Sequence, residues 1–395
     1  MLVPMRMESD RLSAREAVDA VLRENLHGLV LDQRCVELAA FALALTAWKY
    51  PDAGGYRRLP DLNIACSGLA ISAKRDDWIA LAGENTQLRH ILEEVYSQFK
   101  DAPVLGSLIN PAASLSRGSL FDLAWDEVEP LLTKALANES DDERGEMGVV
   151  AKGLSRAAHL LVDSYSLVMT NVPFLGRGKQ TDIQKSFCDL YFGDAKSDLS
   201  TSMLRRCLDL SRDHGTVILV TPQVWLFQNS YSGLRESLLD DQTWNLVAKL
   251  GSNAFQDMNW WAAVTLLSII SSGSPEAGHT IYGLDVGGTK DRDLKANLLR
   301  SSPPDTATQS SIRNRPDCVV SFSKGGVETL LCTRAKSTEG LSTGDGDRFL
   351  RWFWEFQNRP KAWEFFQTTS RERAMFSGMS QVVHWEQGKG ALATS

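Results

Sequence analysis

The chain has 395 residues, of which 43% are hydrophobic and 23% charged, and it carries a net charge of −7 at pH 7. This is globular composition with length for one or two cores, which excludes a chain disordered throughout. The negative charge excludes recognition of nucleic acid by bulk charge, though a local basic face would suffice for phosphate contacts. Six cysteines (Cys35, Cys66, Cys188, Cys207, Cys318, Cys332) form neither a CxxC nor a Cys/His cluster at ligand spacing, so neither a disulfide framework nor a metal site is expected. The start, MLVPMRMESDRLS, has no apolar stretch of signal-peptide length, and no window approaches the ~18 apolar residues of a membrane span. A cytoplasmic protein that does not enter a membrane is the expectation.

Short β-rich runs alternate with helical patterns, which predicts an α/β fold with a parallel sheet. The predicted strands are HGLVLD (27–32), LNIAC (62–66), YSLVMTN (165–171), TVILVTP (216–222), LVAKLG (246–251) and AVTLLSII (263–270). Helical patterns follow in RCVELAAFALALTAWKY after Asp32, in SDLSTSMLRRCLDLSRDHG up to a stop at Gly215, and in SYSGLRESLLDD. About a hundred residues separate the second and third strands, including TQLRHILEEVYSQF and FDLAWDEVEPLLTKALAN. That exceeds a single crossover helix and predicts an inserted helical subdomain at about 71–155 within a core of residues 1–300. The proline-bearing, polar 301–316 reads as a linker or exposed loop, and 317–395, rich in Trp and Arg, as a separate region.

The third strand ends in Asn171-Val172-Pro173-Phe174 and runs into GRGKQ. The Asn oxygen and the Val172 carbonyl are both suited to accept protons from the amino group of a flat heteroaromatic base, with Phe174 stacked on it. A plain strand-ending turn is the competing reading, since Asn and Pro both favour turns. Asp32 stands at the end of the first strand, either as a ligand for ribose hydroxyls or as the cap of the following helix. Basic candidates for phosphate contact are Arg177, Lys179 and Lys185 after the tetrapeptide, and the later Arg348, Arg351, Arg359 and Lys361. LDVGGTK (284–290) imitates a kinase phosphate turn, but it follows the last predicted strand and leaves about a hundred residues for all other kinase machinery. The six histidines have no partner at catalytic or metal spacing.

Strand–Asp, strand–small polar turn (Cys66-Ser67-Gly68), then strand–Asn-x-Pro-Phe is the succession of a methyltransferase sheet. On these motifs, with TNVPFLGRGKQ, KSDLSTSMLRRCLDL, HGTVILVTPQVWLF, WNLVAKLGSNAF and GLSTGDGDRFLRWFWEF, the chain resembles the adenine-specific DNA methyltransferases of the type IIG and PglX kind, the latter from the BREX phage-defence system. The resemblance covers most of the chain. It implies a Rossmann-like S-adenosylmethionine-dependent methyltransferase sheet, S-adenosyl-L-methionine as methyl donor, and the exocyclic amino group of a flipped adenine in double-stranded DNA as acceptor. Asn171, Val172 (through its carbonyl), Pro173 and Phe174 match the family's catalytic Asn-Pro-Pro-Tyr/Phe, with Val172 as a departure. Asp32 matches the ribose-holding acid, and Cys66 and Ser67 the strand end beside the cofactor's adenine. Lys196 and Asp198 fall in a segment bordering the base pocket, with a structural role. The family's Gly-rich turn before the Asp32 strand is missing from the 31 upstream residues, whose sole glycine is Gly28. The resemblance therefore also implies an internal fragment of a longer enzyme: residues 317–395 begin a truncated target-recognition region, and a companion polypeptide supplies the turn. The alternative is a catalytically inactive DNA-binding or assembly fragment.

Overall fold

Strand β1 (His27–Val30) pairs in parallel with β2 (Asn63–Cys66), and the two make a sheet of their own. The computed structural model of the chain describes residues 1–71, 74–80, 82–111, 150, 153–154, 156–255, 264–322, 334–336, 341, 343–368 and 377–394. The predicted helix FDLAWDEVEPLLTKALAN, most of the later half of the predicted insertion, and Cys332 lie outside the described residues. Two units are resolved, 1–323 and 324–395.

The helices of the first unit include α1 (Leu2–Ser9), α2 (Ala14–Ala20), α3 (Gln33–Lys49), α4 (Arg75–Ala80), α5 (Thr86–Phe99) and α6 (Ala102–Leu105), followed by α7 (Asp182–Tyr191), α8 (Leu199–Asp209), α9 (Ser232–Asp241), α10 (Arg292–Ser301) and α11 (Gln309–Arg313). A further helical stretch covers 156–162. The main sheet has six strands in the order β3 (Tyr165–Asn171), β4 (Ser211–Pro222), β6 (Thr265–Ser272), β5 (Gln242–Gly251), β7 (Thr280–Asp285), β8 (Asp305–Thr308).

This sheet is mixed, not parallel as the sequence pattern predicts. β3 and β4 are parallel, as are β5 and β7, but β6 lies antiparallel between β4 and β5. Only thirteen residues, 252–264, join β5 to β6. A parallel return takes a crossover of about a dozen residues or more, so this connection sits at the lower limit, and the direct antiparallel return is the one adopted. The stretch 301–316, expected to be a linker, instead supplies β8, antiparallel to β7, and α11. Its polarity had hidden a four-residue edge strand. The helical pattern running to Gly215 also stops early: α8 ends at Asp209 and β4 begins at Ser211.

The main core forms where alternate residues of the strands meet α8 and α9. Val217 and Leu219 of β4, Leu266 and Ile270 of β6, and Trp244 and Val247 of β5 pack with Leu204, Cys207, Leu208, Leu234 and Leu238. Each such side chain contributes about 1.5–3 kcal/mol by leaving water. On the opposite side Leu298 and Leu299 of α10 cover Ala248, Leu250, Leu284 and Val286. Two buried guanidiniums tie loops to this core by donating to carbonyls. Arg206 donates to the Ser107 and Leu161 oxygens at 3.1 and 2.6 Å, which holds the segment entering β3; burial pulls its pKa down to about 10. Arg235 donates to the oxygens of Trp225, Gln228 and Asp317.

The second unit is built on a three-stranded antiparallel sheet, β9 (Leu350–Trp352), β10 (Trp363–Phe366) and β11 (Gln381–His384), in the order β10-β11-β9. Phe349, Val383 and Leu392 form its small core. Among the described residues, no helix is long and apolar enough to cross a membrane.

Candidate active site

Asn171 ends β3 at the carboxyl end of a parallel pair, with an exposed side chain, while Val172 is buried. The ladder shows why this strand end is chemically open. The Val172 N–H donates to the Val220 oxygen at 3.4 Å, so in a parallel register the Val172 carbonyl faces the amide of residue 222. Residue 222 is proline and has no N–H to give. No hydrogen bond to that carbonyl occurs among the described residues. Two acceptors, the Asn171 side-chain oxygen and the Val172 carbonyl, thus lie on adjacent residues, followed by the exposed Pro173 and the half-buried Phe174.

The following loop is held by the segment 197–199. Leu199 N–H donates to Leu175 O at 2.9 Å, Arg177 N–H to Ser197 O at 3.0 Å, and Gly176 bridges Asp198. The Asp198 carboxylate meanwhile accepts from Ser200 N–H at 2.8 Å and caps α8. Among the expected basic contacts, Arg177 is already paired with Asp189 at 2.5 Å, alongside Lys196 at 3.0 Å from the same carboxylate. Lys185 pairs with Asp182 at 3.5 Å, and Lys179 is exposed. These lysines and Arg177 cluster around one loop, but most of their charge is answered locally.

Asp32 follows β1 and caps α3. Its carboxylate accepts from the Arg34 amide at 2.9 Å and forms a 2.6 Å ion pair with the Arg34 guanidinium. The Arg34 hydrogen bonds hold its pKa down to about 2, so the group is an anion at any ordinary pH. Arg34 is 86% exposed and the Asp32 side chain 42%, so the carboxylate stays open to solvent and able to accept from hydroxyls. Cys66 and Ser67 are buried against the end of β1. The Cys66 thiol, its pKa raised by burial, donates to Leu31 O at 3.3 Å, and Ser67 N–H donates to Val30 O at 2.8 Å. Gly68 is required here, because a Cβ would lie 2.2 Å from the Leu31 oxygen. Asp32 and the Cys66-Ser67 turn therefore share one sheet end, while Asn171 belongs to the other sheet.

Of the two glycines of LDVGGTK, Gly287 serves packing, while a Cβ on Gly288 would meet nothing within 4 Å. A Cβ on Gly251, which sits at φ +73°, would lie 2.6 Å from the Cα of Gly287, so the two turns approach backbone to backbone. In the second unit, Arg348 lies over the Phe349 ring at 4.8 Å and Arg351 reaches Glu355 at 3.9 Å. Arg359 pairs with Glu364 at 2.8 Å, and Lys361 is exposed. Beside them Trp352 and Trp354 stack at 4.7 Å and remain exposed, an aromatic face that residue spacing alone did not single out. Sequence reading also missed a cavity of about 680 Å³ bounded by Asp101, Leu108, Asn110, Ile183, Phe187 and Asp209, which contains none of the expected site residues. Burial raises the pKa of its Asp209 carboxyl.

Residues 24–255, more than half the chain, match the family model described as Eco57I restriction-modification methylase. The chain is 23% identical over 98% of its length to the adenine-specific methyltransferase PglX of Lacticaseibacillus casei (strain Zhang), covering 34% of that protein. It is 27% identical over 65% of its length to the adenine-specific methyltransferase BrxX of Escherichia coli O9:H4 (strain HS), covering 22% of it. Thus the chain spans about a third or less of the length of these relatives. Among solved structures, the ATP-dependent Type ISP restriction-modification enzyme LlaBIII bound to DNA superposes on 75% of this chain and 17% of that one, with a TM-score of 0.44 and 15% identity. On the family match, this chain belongs to the Eco57I restriction-modification methylases.

Proposed function

We propose that this chain carries the base-gripping part of an adenine-specific DNA methyltransferase of a restriction-modification or BREX-type phage-defence system. Its fold in this reading is a Rossmann-like methyltransferase sheet, with residues 317–395 contributing to target recognition. The observation that carries the proposal is the pair of acceptors at the end of β3, the exposed Asn171 oxygen and a Val172 carbonyl that Pro222 cannot satisfy.

A flipped adenine would donate its two amino protons to these acceptors, with Phe174 against its ring. Accepting both protons draws the nitrogen lone pair out of the ring and aims it. S-adenosyl-L-methionine, when bound, supplies an electrophilic methyl group. Asp32, anionic and hydrogen-bonding through both oxygens, is the residue suited to hold ribose hydroxyls, and the Cys66-Ser67 turn forms the wall beside it. Pro173 and the 175–177 to 197–199 contacts keep the acceptors fixed, so catalysis here is chiefly positioning. Lys179 is the basic residue of the loop most available to a DNA phosphate, with Arg177 and Lys185 able to join by exchanging a carboxylate for it. Arg348 and Arg351 would take the same role in the second unit.

Transfer of a radiolabelled methyl group to DNA tests the reading. Asn171→Ala should cut transfer by roughly 10²-fold or more, the loss typical of removing one well-placed polar contact to the reacting group. Transfer at the parental rate would sink the assignment. A second reading, an inactive DNA-binding or assembly fragment, is favoured by β1 and β3 each pairing on one side only among the described residues. Micromolar binding of S-adenosyl-L-methionine by the purified chain alone would exclude it.

A further inference from the structure

The cavity of about 680 Å³ beside α7 contains none of the residues that the proposed function uses. Its volume is that of a site for a small organic molecule, since such sites run to roughly 300–1,000 Å³. It lies between two pieces of chain. One is the run from the end of α5 through α6 to Asn110, and the other is α7 together with Asp209, the last residue of α8.

α7 is apolar on two sides. Gln184 and Cys188 are buried in the protein, while Ile183, Phe187, Leu190 and Tyr191 follow one another at helical spacing and line the cavity. A helix face turned to plain solvent carries polar side chains. Here Ile183, Leu190 and Tyr191 stand 41%, 68% and 46% exposed instead. The centre of the Phe187 ring lies 4.6 Å from that of Tyr191 and 6.2 Å from that of Phe192, which makes an aromatic corner, and Leu105, Leu108 and Ile109 supply further apolar wall.

The charged residues of the lining are mostly acidic: Asp101, Asp182 and Asp209 stand against Lys100. Asp182 is answered by Lys185 at 3.5 Å. Asp101 precedes α6 as its N-cap residue but makes no side-chain capping bond. Asp209 is less well answered. It accepts from the Asn110 amide at 3.5 Å, while the neighbouring Arg206 guanidinium donates to the Ser107 and Leu161 carbonyls. It also ends α8, where the helix dipole is negative and disfavours a carboxylate. Desolvation raises its pKa, and the charge of Arg206 offsets that only in part. A cation placed beside Asp209 would relieve both costs.

We propose that this cavity is a binding site for a small organic cation with a flat apolar body, its charged end held by the Asp209 carboxylate and its body against the Phe187 and Tyr191 rings. The apolar wall supplies the affinity for the body, and the carboxylate selects the sign of the charge. The inference does not rest on the proposed function, because it uses a different part of the first unit.

Three probes that share an indole ring test it: tryptamine, a cation; indole-3-acetate, an anion; and 3-methylindole, which is neutral. Each is titrated into the full 395-residue chain with methyl-labelled isoleucine and followed by NMR, since Ile109 and Ile183 both line the cavity. Tryptamine should shift these two methyl signals saturably and bind at least about tenfold tighter than indole-3-acetate, the effect of one partly desolvated charge pair. Asp209→Asn keeps the shape of the side chain and should erase the preference between the two. Ser186→Trp, on the cavity side of α7, should fill the space and abolish the shifts, and circular dichroism with thermal unfolding checks that both variant chains fold. No saturable binding of tryptamine, equal binding of all three probes, or shifts confined to isoleucines outside the cavity would overturn the site. So would a folded Asp209→Asn chain with the parental preference, or a folded Ser186→Trp chain that still binds tryptamine. Light scattering that finds a dimer in the parent and a monomer in Ser186→Trp would assign the α7 stripe to a second copy of the chain and likewise overturn it.

Discussion

Gln309 offers a sharp test of how the main sheet is completed, because it lies in the stretch whose composition reads as a linker. It is 2% exposed. Its amide nitrogen donates to Leu239 O at 2.8 Å and Gln242 O at 2.7 Å, and its oxygen accepts from Trp244 N–H at 2.9 Å. One side chain from α11 therefore closes the end of α9 and the start of β5. Gln309→Ala leaves two carbonyls and one amide buried without these partners. At about 1–3 kcal/mol for each orphaned group, discounted because carbonyls tolerate it better and the site relaxes, the loss should be roughly 3–5 kcal/mol. Urea unfolding followed by tryptophan fluorescence reads this directly, since Trp225 and Trp244 are both in the core, with ring centres 5.4 Å apart. Gln309→Glu sharpens the test. An ionised Glu accepts from Trp244 but turns a second acceptor toward two carbonyls, so its folded-state pKa must rise above the unfolded value of about 4.3. A raised acid makes folding costlier as pH climbs through the unfolded pKa, and the deficit should shrink near pH 4 and be full at pH 7. An Ala variant that loses less than about 1 kcal/mol, or a Glu variant equal to the parent at pH 7, would refute the three-bond account.

Other substitutions probe the site and its supports. Gly68→Ala forces a Cβ to within 2.2 Å of Leu31 O, so the β1–β2 sheet should open, visible as loss of amide protection over 27–31 and 63–68; unchanged protection would show that the turn is not strained. Asp32→Ala should lower the helix content of α3 through the lost cap and, in the proposed function, should weaken S-adenosyl-L-methionine binding in calorimetry. Asp32→Asn should keep the cap and still lose the cofactor. Because the Asp32 pKa is depressed to about 2, its charged contact with Arg34 is present above the usual carboxylate range and is lost only as pH falls through that value, so helix content by circular dichroism should not respond to this group between pH 7 and 4. Arg235→Lys replaces a planar fork that serves three carbonyls by a single ammonium, and thermal unfolding should register a loss of about 2–4 kcal/mol.

The parts of the fold legible in the sequence were those set by local periodicity. The strands expected at 27–32, 62–66, 165–171, 216–222, 246–251 and 263–270 all overlap observed strands, 165–171 with the same bounds, because each is a short apolar run bearing β-branched residues. Direction and partnership were not legible. Nothing in TLLSIISS states that β6 runs antiparallel between β4 and β5, and a four-residue edge strand such as DTAT needs little hydrophobicity, so β8 looked like a loop. In the site, residue types announced Asn171 and Asp32 as strand-end polar groups. What sequence could not supply was the ladder register that makes Pro222 the neighbour of the Val172 carbonyl, a relation between positions 50 residues apart.

In the proposed function, that relation bears on why Val172 can stand where the resembling family's pattern has a first proline. A proline there would itself remove the amide that Val172 donates to Val220, whereas in this chain that N–H bond to the opposite strand holds the backbone in register, and Pro222 leaves the carbonyl without an amide partner. The carbonyl stays open in either arrangement. Burial of the Val172 side chain among Leu219, Cys188 and Leu199 fixes its backbone further, so exchanging Val172 for proline should change the sheet edge more than it changes the acceptor.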